Sequence, residues 1–205
     1  MNYTHIVFDV DGTLLDTEKT GLVSLQWTIR QELGKEMTLE ELYPYFGIPS
    51  WEAVLQLGFR DPSKAAAIWE HHFQSLVHMA EPFEGIEETL QILHKKGVVM
   101  GVVTSRNRAE LESDHHMALW MHLFTATICA EDTPAPKPAP DPMLAFLSRT
   151  GADRAKVLFV GDTSYDQQCA YAAGTAFAFA LWGTRNGKNI PATYYLRHPK
   201  DILGL

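Results

Sequence analysis

The sequence predicts an α/β fold with a doubly wound parallel sheet, interrupted near its start by an all-helical domain. Three observations carry this. Short apolar runs rich in Val, Ile and Phe recur along the chain, and segments with helical periodicity follow them. Chemistry-bearing polar residues cluster just after several of those runs, where a parallel sheet opens to ligand. Between residues 17 and 80 the strand-like runs stop and only helical periodicity is found, the mark of an insertion.

The first strand is Ile6-Val7-Phe8, ending on Asp9, Val10 and Asp11, with Gly12 free to turn the chain. If the strand held to Asp11, both carboxylates would share one face. Leu22, Leu25, Trp27, Ile29 and Leu33 then form a broad helical face that Gly34 ends. Leu39, Leu42 and Tyr43 suggest a short helix before Pro44, Pro49 to about Leu57 another, and Asp61-Pro62-Ser63 opens a longer one through Val77.

Alternation resumes near Pro82. A helix over 85–96 ends at Gly97 and leads into the strand 98–103. Then follow a helix from about Arg108 to Phe124, a strand at Thr127-Ile128-Cys129, and a helix from about Asp141 to Arg149. The strand 157–160, a helix from about Tyr165 to Ala173 and the strand 176–181 complete a Rossmann-like series. The domains expected are a core of residues 1–16 and 81–205 and a helical insertion of residues 17–80.

A formal net charge of −8 argues against nucleic acid or an anionic membrane as partner, since both need clustered cations. Cys129 and Cys169 fall in apolar segments and are read as buried thiols, not a disulfide framework. No basic region followed by an apolar stretch opens the chain, and no apolar run reaches the ~18 residues of a membrane span. A soluble cytoplasmic protein, monomeric or weakly dimeric, is expected.

The acids after the first strand suggest a nucleophilic carboxylate with a proton donor beside it, the pair that phosphoryl transfer through an acyl-phosphate requires. Asp9, Asp11 and Gly12 also suit an ordinary turn, although a buried strand rarely ends in two acids without a compensating cation or donors. Thr104 and Ser105 put hydroxyls at the end of the strand 98–103, where they could bond phosphate oxygens or make a local turn. Lys137 sits in the Pro-rich stretch 133–142, as a solvated residue of a stiff linker or as an ammonium held over the acids. Carboxylates facing a phosphate repel it by roughly 4 kcal/mol per close pair at an effective dielectric near 20, which favours the second reading. Asp162 and Asp166 open the helix after the strand 157–160, as cap and first-turn acid or as ligands. Asp9, Asp162, a main-chain carbonyl and waters would suit octahedral Mg²⁺.

Ile6-Val7-Phe8-Asp9-Val10-Asp11-Gly12-Thr13-Leu14-Leu15-Asp16-Thr17 resembles the first motif of the haloacid dehalogenase-like superfamily, and Thr104, Lys137, Asp162 and Asp166 follow in the order of its other motifs. The resemblance spans roughly residues 4 to 183. It implies that Asp9 is nucleophile and Mg²⁺ ligand, and that Asp11 is general acid and base and lends its carbonyl to the metal. It further implies that Thr104 and Lys137 bind phosphate, Asp162 ligates the metal and Asp166 orients metal-bound water. Residues 17–80 resemble the helical cap of the subfamily with phosphoglycolate phosphatases, pyrophosphatases and β-phosphoglucomutases, with hinges near Asp16 and Glu81-Pro82. The stretch from Ala172-Ala173-Gly174 to Leu181-Trp182-Gly183 is similar to the phosphoglycolate phosphatase branch. Pro-Ala-Pro before Lys137, Glu84 before Gly85 and a cap with few cations depart from that branch.

The implied activity is Mg²⁺-dependent hydrolysis of a small phosphorylated metabolite. A sugar phosphomutase, and a phosphate-sensing protein with little turnover, are the alternatives; a haloalkanoate dehalogenase would leave the metal acids without a task. His71-His72 and His115-His116 are read as solvated helix residues, and Trp51, Trp69, Trp120 and Trp182 as packing residues, with Trp51 the one that could face a site. Arg106 and Arg108, just after Thr104, could neutralise substrate but are read as surface charges.

Overall fold

The computed structural model describes residues 2–45, 50–184 and 190–205. Its strands are β1 (His5–Phe8), β2 (Leu15–Asp16), β3 (Glu81–Pro82), β4 (Val99–Val103), β5 (Phe124–Ile128), β6 (Val157–Gly161), β7 (Ala176–Ala180) and β8 (Tyr194–Leu196). The chain divides into two compact units, 1–16 with 81–205, and 17–80.

The first unit is built on a six-stranded sheet in the order β5-β4-β1-β6-β7-β8, parallel throughout. The chain winds outward from β1 through β4 to β5, then crosses back to β6 and winds the other way. Its direction reverses between β1 and β6, and a doubly wound sheet opens a ligand crevice beyond the carboxyl ends at that point. Val7, Val103, Phe159, Phe177 and Phe179 of the sheet are fully buried in one cluster with Met143 and Phe146. β2 and β3 form a separate antiparallel ribbon pairing Leu15 with Pro82 and Asp16 with Glu81.

The second unit contains α1 (Glu18–Leu33), α2 (Leu39–Leu42), α3 (Ser50–Gln56) and α4 (Pro62–Leu76). Leu22, Leu25 and Ile29 of α1 are buried with Leu42, Ala53, Val54, Ala65 and Trp69. The Trp69 indole donates to Ser24 Oγ at 3.0 Å. Gly34, in the left-handed region, ends α1. Trp27 is 44% exposed, so the buried face of α1 is narrower than the sequence suggested. The expected helix start at Pro49 lies outside the described residues.

The sheet is flanked by α5 (Ile86–Lys95), α6 (Arg108–Ser113), α7 (His115–Trp120), α8 (Asp141–Thr150) and α9 (Ser164–Ala173). The single helix expected from Arg108 to Phe124 is therefore two. Asp114 is extended, with ψ 126°, and its side chain accepts from the His116 and Met117 amides, so it starts a new helix where periodicity alone continues the old one. Phe124 already belongs to β5, which begins earlier than expected and ends at Ile128. β1 ends at Phe8, so strand alternation does not govern Asp11. Val10 O instead accepts from the amides of Thr13, Leu14 and Leu15, making a tight turn. β2, β3 and β8 are too short, and too weakly patterned, to stand out in sequence. Both cysteines are free and buried. Among the described residues no helix is long and apolar enough to cross a membrane.

Gly101 of β4 lies against the Phe146 ring, and an added Cβ would collide with it and meet Ala126 O at 3.0 Å. Gly101→Ala is expected to destabilise by about 1–3 kcal/mol through overpacking, whereas Gly204→Ala, with open space around it, should stay within about 0.5 kcal/mol. Denaturant midpoints of the two variants check this.

Candidate active site

The crevice between β1 and β6 is edged by acids because both strands end on one. Asp9 follows β1, its amide donating to Val160 O at 3.0 Å, and Asp162 follows β6. Both are buried. Asp166 enters in the first turn of α9, whose cap is reciprocal. Thr163 Oγ1 accepts from the Asp166 amide, and Asp166 Oδ2 accepts from the Thr163 amide and hydroxyl. One oxygen from each of Asp9, Asp162 and Asp166 lies within 4.8 Å of the others.

Lys137 answers these charges. Its buried ammonium donates to Asp9 Oδ1 at 2.8 Å and to Asp166 Oδ1 at 2.7 Å. The Pro-rich stretch brings it there, with a cis peptide at Lys137-Pro138. Burial lowers the Lys137 pKa, but the charges of Asp166 and Asp9 outweigh it and hold the value above the ordinary one, so the ammonium persists. Burial raises Asp9 to about 7; Lys137 opposes this, and Asp166 and Asp11 add to it. Asp162 is also pushed well up, by burial and by the charges of Asp166 and Asp9, against a hydrogen bond from Thr13 Oγ1 at 3.0 Å.

Three buried carboxylates thus face one ammonium. The imbalance and the hard oxygen donors fit a divalent cation such as Mg²⁺. Among the described residues, Asp9 Oδ2 and Asp162 Oδ2 accept no hydrogen bond, while both Asp166 oxygens are engaged. Asp9 and Asp162 are therefore the pair with open ligand atoms.

Glycine backbone lets these groups approach. Gly12 has φ +79°, and a Cβ on it would strike the Asp162 carboxylate; one on Gly161 would come within 2.6 Å of Asp166. A Cβ on Gly183 would strike Gly12 O. The neighbouring Trp182 indole donates to Thr13 O at 2.9 Å. Gly161 ends β6 and Trp182 and Gly183 follow β7, so strand-end position was the sequence signal for these roles, whereas Thr13 lies in the first motif beyond β1.

Thr104 follows β4 and is buried, its Oγ1 accepting from the Arg106 amide at 3.1 Å, the turn that a hydroxyl at a strand end can make. Ser105 is exposed. The first-motif acids part company. Asp9 joins the buried cluster, while Asp11 keeps 31% of its side chain exposed and is gripped by Arg106. Nε donates to Asp11 Oδ2 at 2.9 Å and Nη2 to Oδ1 at 2.7 Å.

This corrects the reading of Arg106 as a surface charge. Its side chain is 3% exposed, and Nη1 donates to the equally buried Asp114 at 2.9 Å. Burial lowers its pKa, but the two carboxylates more than offset this and keep it charged. Sequence reading missed the group because Asp114 lies within what periodicity reads as a continuous helix. An Asp ahead of the Met117 and Trp120 apolar positions was the available signal. Arg108 does stay partly exposed, paired with Asp132 at 2.6 Å. The histidine pairs are absent from the acidic cluster, and Trp69 and Trp120 are packed while Trp51 is exposed.

The chain matches the family model for haloacid dehalogenase-like hydrolases over residues 6–180. It is 33% identical to a phosphoglycolate phosphatase of Aquifex aeolicus, covering 98% of this chain and 95% of that protein. It is 29% identical to the pyrophosphatase PpaX of Anoxybacillus flavithermus, covering 100% and 97%. An inferred phosphoglycolate phosphatase structure from Lactobacillus plantarum superposes with a TM-score of 0.90 at 29% identity, covering 100% and 99%.

The raised carboxylates fix a pH dependence. An acid whose folded pKa exceeds its unfolded value stabilises fully below the unfolded pKa, and that stability is lost as pH rises through the folded one. For Asp9 the window runs from the ordinary value of 3.8 up to about 7, and Asp162 acts in the same sense. Chelator-treated protein should show a falling Tm between about pH 4 and about pH 7, and Mg²⁺ should raise Tm more at the upper pH. Differential scanning fluorimetry checks this; Asp162→Asn should weaken both effects, and a Mg²⁺ response independent of pH would refute the linkage.

Proposed function

This chain belongs to the haloacid dehalogenase-like hydrolase family, and we propose that it is a Mg²⁺-dependent phosphatase that hydrolyses a small phosphorylated metabolite through an aspartyl-phosphate. The observation that carries this reading is Asp9, held through one oxygen by a buried ammonium while the other stays open at the sheet's switch point. Relatives named for phosphoglycolate and pyrophosphate hydrolysis support a phosphoric monoester or anhydride of small size as substrate.

In the proposed sequence Asp9 Oδ2 attacks phosphorus, and the bond from phosphorus to the leaving oxygen breaks as Asp11 supplies its proton. Water then attacks the aspartyl-phosphate and gives a proton to Asp11, releasing phosphate and restoring Asp9. Lys137 orients Asp9 and keeps a third N–H for a phosphoryl oxygen, since an ammonium has more donors than the two spent on Asp9 and Asp166. Thr104 and the amides of its turn line the phosphate subsite, with the Ser105 hydroxyl beside it. Asp9 and Asp162, with the Asp11 carbonyl, would hold Mg²⁺, and Asp166 supports the set. Bound there, the ion would neutralise charge on the transferring phosphoryl group. The helical unit, inserted between β2 and β3, is assigned to selecting the rest of the substrate.

The test is phosphate release from phosphoglycolate, sugar phosphates, nucleotides and pyrophosphate, with Mg²⁺ and with chelator. Wild type should release phosphate only with the metal, and Asp9→Asn should lose about 10⁴-fold or more in kcat, the scale of losing a nucleophile. Comparable turnover in the variant would refute the assignment. A sugar bisphosphate accumulating without phosphate release would mark a mutase.

A further inference from the structure

Arg106 invites an obvious role beside a phosphate site, that of a cation for the substrate's anion. Its surroundings oppose that role. Its charge is already met by two carboxylates, Asp11 and Asp114, and its Nε, Nη1 and Nη2 each donate to one of them. With only 3% of the side chain exposed, it cannot swing out to meet a ligand.

What Arg106 controls is Asp11. That residue lies in the turn beyond β1, so strand geometry does not set its orientation, and its carboxylate is partly exposed. Its side-chain hydrogen bonds among the described residues all come from Arg106. The guanidinium is in turn fixed from several sides. Its amide donates to Thr104 Oγ1, its carbonyl accepts from the Ala130 amide at 2.9 Å, and Nη1 holds Asp114 Oδ2. Asp114 Oδ1 is pinned by the two amides that begin α7. A continuous set of bonds thus runs from a helix terminus to the carboxylate at the crevice.

We propose that Arg106, anchored by Asp114, is a positioning residue that orients the Asp11 carboxyl group for proton transfer to the leaving oxygen. This rests on the reading of Asp11 as general acid given above. Arg106 neither gives nor takes a proton. As the Asp9–phosphorus bond forms and the bond to the leaving oxygen breaks, the proton passes from Asp11 to that oxygen. Asp11 enters this step carrying the proton that the preceding hydrolysis gave it, and the carboxylate left behind is the form that the guanidinium fork holds here through both oxygens, so Arg106 meets the charge that the transfer creates. Hydrolysis returns a proton from water to Asp11 in the same orientation.

The role is separable from simple support of the fold because a basic leaving oxygen needs the proton and a weakly basic one does not. The quantity to measure is kcat/KM, which covers steps through leaving-group release and excludes the later hydrolysis common to all substrates. Wild type, Arg106→Lys, Asp114→Asn and Asp11→Asn are compared on an alkyl phosphate and on p-nitrophenyl phosphate with saturating Mg²⁺, with Tm measured alongside. Arg106→Lys should lose about 10-fold or more beyond its aryl loss on the alkyl substrate, a fraction of the 10²–10⁴-fold that general acid catalysis supplies. Asp114→Asn should lose in the same sense by less, and it carries the comparison if Arg106→Lys does not fold. Equal losses on both substrates would overturn the proposal, as would a gain on the alkyl substrate, which would make Arg106 a competitor for Asp11. If Asp11→Asn itself shows no difference between the substrates, the acid role of Asp11 fails and takes this inference with it. A difference in Asp11→Asn that Arg106→Lys and Asp114→Asn lack removes the inference alone.

Discussion

The ammonium of Lys137 between Asp9 and Asp166 is the contact on which the rest of the crevice depends. Removing three carboxylates from water is costly, and an uncompensated buried charge is among the more destabilising features a fold can carry. One fixed cation within 2.8 Å of two of the acids brings that cost down to what a fold can bear. The constraint propagates outward. Gly12 and Gly161 leave room for the carboxylates, Thr13 donates to Asp162, and the Thr163 cap takes the remaining Asp166 oxygen. The Pro-rich stretch has its place in the same scheme, since a backbone with few accessible states loses less entropy in delivering the lysine.

Two buried cations serve this unit, and their balances differ. Lys137 faces more negative charge than it can neutralise, and Arg106 is matched by two acids of its own. The first arrangement leaves demand for a further cation. The second is closed, and a closed ion-pair set holds geometry better than it attracts ligand. Electrostatics therefore divides the two acids of the first motif before any substrate arrives. Asp9 lies in the field of the unbalanced cluster, Asp11 in that of the balanced one.

How much of this was legible in sequence follows from the range of the interactions. The strands of the sheet's centre could be read because burial on both faces leaves unbroken apolar runs such as 98–103 and 157–160. The acids after β1 and β6 could be read because chain order carries each strand straight into its acid. Arg106 could not, since its burial depends on Asp114 and Asp11, one across a helix break and the other in the turn beyond β1. Periodicity runs through that break because Leu111 and Met117 keep to an apolar face on both sides of it. β8 and the β2–β3 ribbon owe their existence to pairing partners, and runs of two or three residues hold too little pattern to announce one.

The same division bears on substrate choice. Every polar group assigned to the phosphoryl end comes from the sheet unit, and both of its buried cations are already paired with carboxylates. Nothing in that set distinguishes a phosphoric ester from an anhydride except the basicity of the oxygen that leaves. On the proposed reading of Asp11 as general acid, a low-basicity leaving group can depart with little help from it, whereas an alkoxide cannot. The orientation of one carboxylate by Arg106 therefore weighs differently on the two kinds of substrate named among the relatives. Chemical selectivity would then enter through proton transfer within the sheet unit itself.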